Sequence, residues 1–278
     1  MNARVAGSVV LVAAAVLAVT AGAAAGADWR APPAGAKFDY QIGGDYRPPA
    51  GVRVISRDWF LGAAPERTYS ICYVNAFQTQ DDEAGVERPD ERSNWPRDLV
   101  LRDLGEDPNW GGEYLVDIST PARRRRAARH VQPMIETCAR KGFEAVEYDN
   151  LDSWTRFDGT PRAGDVPFGK RQAIAYASLL AGRAHARGLA AGQKNTPQLT
   201  RRQSRRRIGF DFAIAEECGR FAECRRYTAL FGSRVLAIEY RRRDFRRACR
   251  SVGASVSVVL RDRAVSRPGS AGYVYAAC

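Results

Sequence analysis

Histidine is almost absent from this chain, with only His130 and His185. Both sit in arginine-rich, helix-like runs, and no two cysteines are spaced as a zinc-binding pair, so a His/Cys metal centre is excluded. No Gly-x-Gly-x-x-Gly follows the first strand-like run, which removes support for a dinucleotide fold. Outside residues 5–25 no stretch is apolar enough, for long enough, to cross a membrane. Lysine is scarce too, and nearly all of the basic residues are arginine. The arginine runs at 123–126, 201–207 and 241–247 lack interleaved aromatics. The formal net charge of +12 therefore reads as solvated helix faces and not as a nucleic-acid surface. Attraction to anionic cell-surface polymers is the alternative meaning of that charge.

What is present begins with an address. Arg4 precedes an uncharged Ala/Val run that closes in small residues at Ala23, Ala25 and Ala27. That order describes a cleaved secretory signal over 1–27; a retained anchor is the rival. Residues 28–37 are Pro- and Ala-rich and read as a linker. The remaining 38–278 suit one domain of (β/α)₈ size. Six cysteines in an exported chain imply disulfides, although six allow 15 pairings. Cys218 and Cys224 are close enough to close a small loop. Cys249 and Cys278 would tie down the carboxyl terminus, which leaves Cys72 with Cys138.

Eight strand-like runs follow one another at 38–42, 52–56, 69–76, 143–149, 189–195, 210–218, 235–240 and 255–260. A shorter one at 113–118 is set aside. Helical spacing predicts helices over 121–140, 168–187, 221–231 and 245–252. Strand and helix alternate with short turns in the second half, the form of a parallel sheet, and eight strands favour closure into a single-domain TIM-type barrel. The segment 77–112 is long for a structureless loop and reads as a rim loop walling a cleft. Its Trp95 and Trp110 either stack on sugar rings or pack the loop onto the barrel.

The stretch FEAVEYDNLDSW, 143–154, is the focus. Its apolar start ends in Asp149, Asn150 and Asp152. FDFAIAEEC, 210–218, ends likewise in Glu216 and Glu217. Acids at the carboxyl ends of barrel strands are placed to act together at one mouth, and glycosidic cleavage needs two such carboxyl groups. Asp149 and Glu216 are the leading pair. Asp152 competes with Asp149, and Glu217 with Glu216, whose neighbouring positions alternation would send to opposite sides. Lys194 ends the next strand as a donor to substrate or to Asp149. Asp39, Tyr73, Asp117, Asn150, Asp152, Glu239 and Tyr240 fall near strand ends, where they would bind substrate.

The ordered series FDYQI at 38–42, CYV at 72–74, VDI at 116–118, EYDNLD at 147–152, GQKN at 192–195, AEEC at 215–218 and IEY at 238–240 resembles glycoside hydrolase family 114, the endo-α-1,4-polygalactosaminidase family. The resemblance spans most of the chain after the leader. It implies a (β/α)₈ barrel and hydrolysis of an α-linked polymer containing galactosamine or N-acetylgalactosamine, with Asp149 as nucleophile and Glu216 as acid/base. The chain departs from the family pattern at Phe38, Asp39, Tyr40 and Gln41, where an aromatic-Gln pair is usual, at 75–78, at Ser153 and at Ala215 and Glu217. The net charge of +12 opposes a cationic, deacetylated polymer, so either the cleft is locally acidic or the polymer is acetylated or different. The expected protein is a secreted, extracellular monomer that acts on polysaccharide. No cofactor, metal, nucleic acid or membrane partner is expected once the signal is removed. The alternative is a catalytically silent carbohydrate-binding barrel at the cell surface.

Overall fold

A computed structural model describes residues 28–80 and 95–278. The expected leader at 1–27 and the middle of the rim loop, with Pro89, lie outside the described residues.

Eight parallel strands pair in chain order: β1 (Phe38–Tyr40), β2 (Val54–Asp58), β3 (Tyr69–Asn75), β4 (Ala145–Asp149), β5 (Ala190–Lys194), β6 (Phe212–Glu216), β7 (Val235–Glu239) and β8 (Ser257–Arg261). Helices α1 (Pro121–Arg140), α2 (Lys170–His185), α3 (Cys224–Phe231) and α4 (Arg242–Val252) cover the outside. The sheet is an α/β barrel, nearly closed, in a single domain. Its period of two sorts the core into two parts. Phe38, Tyr40, Ile71, Tyr73, Phe212, Ile214 and Ile238 fill the inside. Cys72, Val74, Val146 and Tyr148 face the helices. Gly192 belongs to the inner set because a Cβ there would lie 2.6 Å from the Phe212 ring. Its absence lets that buried ring fill the barrel, a burial that contributes about 2–3 kcal/mol.

A ninth strand, β9 (Tyr275–Ala277), was not expected. It pairs antiparallel with β8, and the Tyr275 hydroxyl donates to the Phe38 carbonyl at 3.1 Å. The seam between β8 and β1 is thus closed largely by side chains. The fully buried Arg261 donates to Asp39 at 3.0 Å and to the Tyr40 carbonyl.

Helix α1 starts where its sequence says. Thr120 accepts from the Arg123 N–H at 3.2 Å, and Pro121 occupies the first turn. Helix α3 begins three residues later than its apolar spacing predicts. The disulfide Cys218–Cys224 holds residues 219–223 as a tight loop, with Ala222 at φ +57°. Residues 113–118 make isolated bridges only, Leu115 to Gln78 and Val116 to Val100. Arg202–Ile208, left without an element by the sequence reading, is a π-helical turn. Cys72–Cys138 ties β3 to α1 and Cys249–Cys278 ties α4 to the end of the chain, so all six cysteines are paired as their spacing suggests. Residues 28–37 lie against the barrel: Ala36 is buried, Trp29 stacks on His185 at 3.9 Å, and the Tyr69 hydroxyl donates to the Arg30 carbonyl at 2.5 Å. No helix among the described residues is long and apolar enough to cross a membrane.

Candidate active site

The carboxyl ends of the strands open into a cleft of about 880 Å³. Its floor is built on Lys194, the last residue of β5, whose side chain is only 1% exposed. The Lys194 ammonium donates to the Tyr40 hydroxyl at 2.8 Å. It lies 3.3 Å from Asp149, 3.4 Å from Glu216 and 3.6 Å from Glu147. Three carboxyl groups from β4 and β6 therefore share one cation. Glu147 and Asp149 both reach it because they are two residues apart on one strand and point to the same side. Glu147 is wholly buried and takes a hydrogen bond from Ser56, whereas Asp149 and Glu216 keep 17% and 24% of their side-chain surface.

Each exposed carboxylate has its own set of donors. Asp149 accepts from the Tyr73 hydroxyl at 2.7 Å and from the Asn150 N–H at 2.8 Å. Glu216 accepts from Asn195 Nδ2 at 2.9 Å and from the Tyr240 hydroxyl. The Asn195 side chain also accepts from the Glu216 N–H at 2.8 Å, which fixes its orientation.

The electrostatics separate the acids. Burial pushes the Asp149 carboxyl up, but Lys194, the Tyr73 hydroxyl and the Asn150 N–H outweigh it and hold the group below its ordinary value. Glu147 has no such surplus of donors, and burial raises it to about 7 against the pull of Lys194. Burial would discharge Lys194, yet Asp149, Glu216 and Glu147 raise it well above the usual lysine range. Burial first, then the neighbouring carboxylates, keep the Tyr40, Tyr73 and Tyr240 hydroxyls protonated. The cluster thus supplies fixed donors around Asp149 and Glu216.

The turns leaving the strands are unusual. Asn150, Asn195, Thr196 and Glu217 all have positive φ, +61°, +45°, +62° and +53°. For a β-branched Thr this is an uncommon conformation. Each costs on the order of 1–3 kcal/mol, and such residues cluster at sites whose surroundings over-determine the backbone. At Glu217 the chain has already left β6, so alternation no longer applies. Glu217 therefore lines the cleft beside Glu216, against the expectation, and pairs with Arg220 at 2.9 Å.

Of the residues singled out in the sequence, Asp149, Glu216, Tyr73, Asn150, Asp152 and Tyr240 line the cleft, and Lys194 lies beneath them. Three others stand apart from the lining. Asp39 is buried at the seam with Arg261. Asp117 accepts from the Ser119 N–H at 2.9 Å and pairs with Arg123 at the start of α1. Glu239 accepts from the Gly219 N–H at 2.5 Å, below the Cys218–Cys224 loop. The two tryptophans divide: Trp95 is buried against His130, and Trp110 lines the cleft.

Sequence reasoning missed Tyr40, Glu147, Asn195 and Glu113. Strand alternation could have placed Glu147 with Asp149. Glu113 carries no local signal, because it comes from the irregular segment after β3. Its carboxylate accepts from Asn75 at 3.2 Å, and burial, then Asp149, raise it to about 8. Across the lining, Asp45, Asp58, Glu113, Asp149, Asp152, Glu216, Glu217 and Glu223 face Arg156, Arg220, Arg263 and Arg267. Acidic side chains outnumber basic ones two to one there, in a protein of net charge +12.

Comparison with known proteins adds to this geometry. The model of Glycoside-hydrolase family GH114 matches residues 18–278. No curated protein matches the chain. Among solved structures, Ega3 of Aspergillus fumigatus in complex with galactosamine superposes with a TM-score of 0.70 and 19% identity, over 90% of this chain and 98% of that one. The glycoside hydrolase domain of PelA from Pseudomonas aeruginosa superposes with a TM-score of 0.52 and 14% identity, over 84% and 96%. At these identities the two structures speak to the fold, which they share over nearly their whole length.

Proposed function

The chain belongs to glycoside-hydrolase family GH114, and from that premise we propose that it is an exported enzyme cleaving an α-linked, galactosamine-containing polysaccharide with Asp149 and Glu216. The observation that carries the reading is the shared ammonium. One buried lysine holds the two partly exposed carboxylates of β4 and β6 at 3.3 and 3.4 Å. Their nearest oxygens are then less than about 7 Å apart, which accommodates the ~5–5.5 Å of retaining glycosidases and only the lower edge of the ~6.5–9.5 Å of inverting ones.

In the retaining scheme Asp149 attacks the anomeric carbon as an anion. Its depressed pKa keeps it ionised, and Tyr73 and Lys194 hold it in place. Glu216 gives a proton to the leaving glycosidic oxygen, then takes one from the water that releases the sugar from Asp149. The net reaction adds one water across one glycosidic bond. Lys194, Tyr40 and Glu147 are positioning residues below the reacting atoms.

The acidic lining supports a cationic amino sugar as substrate and relieves the conflict with the positive whole-molecule charge. The galactosamine bound in Ega3 points to the same class. Three disulfides support an oxidising, extracellular destination.

The test is product release from α-1,4-galactosaminan in acetylated and deacetylated forms. Asp149→Asn and Glu216→Gln should each lose about 10²–10⁴-fold in kcat with the circular dichroism of the folded protein retained. Full activity in both variants would remove the assignment. Polymer binding without products from the wild type would point to a silent barrel.

A further inference from the structure

Large apolar side chains are seldom exposed on this molecule. Among the described residues they are Trp29, Leu179, Trp110 and Phe221, and only the last two line the cleft. Trp110 is 38% exposed and Phe221 58%. They rise from different connections, Trp110 from the segment after β3 and Phe221 from the loop after β6. Neither ring is buried by the fold that carries it.

Both rings are braced. The Arg263 guanidinium lies 4.8 Å from the Trp110 ring centre, and the Arg220 guanidinium 5.0 Å from that of Phe221. Arg220 is itself held by both oxygens of Glu217, at 2.9 and 3.0 Å. The loops are constrained as well. The Trp110 backbone N–H donates to the Asp107 carbonyl at 3.2 Å, and the Asp107 carboxylate is fixed by Gln78 at 2.7 Å. Phe221 sits inside the loop closed by Cys218–Cys224. Both rings are therefore braced by the protein's own contacts, which lowers the entropic cost of binding.

A pyranose has a C–H face that matches an aromatic ring, and a protonated amino group is drawn to the same negative ring face. We propose that Trp110 and Phe221 are stacking platforms for pyranose rings of a bound polysaccharide, at subsites on either side of the Lys194 cluster. The inference rests on the hydrolase reading of the cleft and adds to it the residues that grip the chain away from the cleaved bond. Affinity for substrate then depends on chain length, because only a long chain reaches both platforms.

The experiment uses the full chain and partially deacetylated α-1,4-galactosaminan, graded by length. Trp110→Ala and Phe221→Ala should each raise KM on long polymer roughly three- to tenfold. The rise should be smaller on the shortest cleaved oligomer, and Trp110→Phe and Phe221→Trp should restore most of the loss. Binding of the same polymer is read separately by isothermal titration, so the platforms are scored even where wild-type turnover is absent. Weaker binding by both alanine variants, rescued by the aromatic replacements, supports the proposal. Unchanged polymer affinity in both, an equal loss at every chain length, or no binding by the wild type overturns it. Absent turnover with platform-dependent binding would instead overturn the hydrolase reading alone.

Discussion

Lys194→Met is the most informative single change at the residue scale. It strands three carboxyl groups around an apolar side chain, and removing one partner of a buried ionic cluster costs roughly 3–5 kcal/mol. Chemical denaturation at neutral pH should show that loss, and it should shrink as the acids become protonated. Without the ammonium, the Asp149 carboxyl loses the main interaction opposing its burial. The acid limb of kcat/KM should therefore move to higher pH, a shift that a merely structural lysine would not produce. Glu113 makes the opposite kind of prediction. Its folded-state pKa is raised to about 8, above the ~4.3 of an unfolded chain. Between those values the folded protein keeps a proton that the unfolded chain has released, so this group's contribution to stability falls as pH rises through the window. Glu113→Gln removes that slope. Its melting temperature should gain on the wild type from about pH 5 to pH 8 and hold a constant difference above that; equal midpoints across the range would refute the assignment.

At the scale of elements, the disulfides do unequal work. Cys72–Cys138 spans 66 residues and joins a barrel strand to its covering helix, whereas Cys218–Cys224 spans six. Loop-closure entropy gives the first about 4 kcal/mol and the second about 2 kcal/mol. Replacing the long-range pair by alanine should therefore lower stability about twice as much, as read by urea midpoints. The short bridge should weigh more on function, because its loop carries Arg220 and Phe221 into the cleft and begins directly after Glu217. The strands show how far local pattern reaches. Short apolar runs closed by acids locate β4 and β6 from sequence, because a parallel strand covered on both faces is buried along its length while its last residue emerges at the rim. The start of α3 was not legible, since its apolar spacing continues through residues that the disulfide holds outside the helix. β9 was missed because a three-residue strand has no periodicity of its own and exists through its pairing with β8.

At the scale of the whole molecule, a basic exterior surrounds an acidic cleft. Long-range repulsion of a cationic polymer is screened beyond ~8 Å at physiological ionic strength, while contacts inside the cleft are screened much less. Raising salt from a few millimolar toward physiological strength should increase kcat/KM severalfold on deacetylated galactosaminan and leave the acetylated polymer nearly flat. A fall in kcat/KM on the cationic polymer over that range would mean that attraction to the acidic cleft outweighs repulsion by the basic exterior, against this expectation.

The sequence by itself determined the barrel, because strand order, alternation and helix caps are local properties. It also determined that acids end β4 and β6 and that Lys194 ends β5 between them. Only the tertiary structure decided which polar residues share the site. Asp39, Asp117 and Glu239 lie near strand ends as Asp149 and Glu216 do, yet their partners bury them elsewhere: Arg261 across the seam, Arg123 at a helix start and Gly219 beneath a loop. Glu113 reaches Asn75 and Asn150 across a fold that no local pattern encodes. A side chain's place along its strand is set by the period of the backbone. Its neighbours across the barrel are set by closure, which joins residues as distant in sequence as Tyr40 and Lys194.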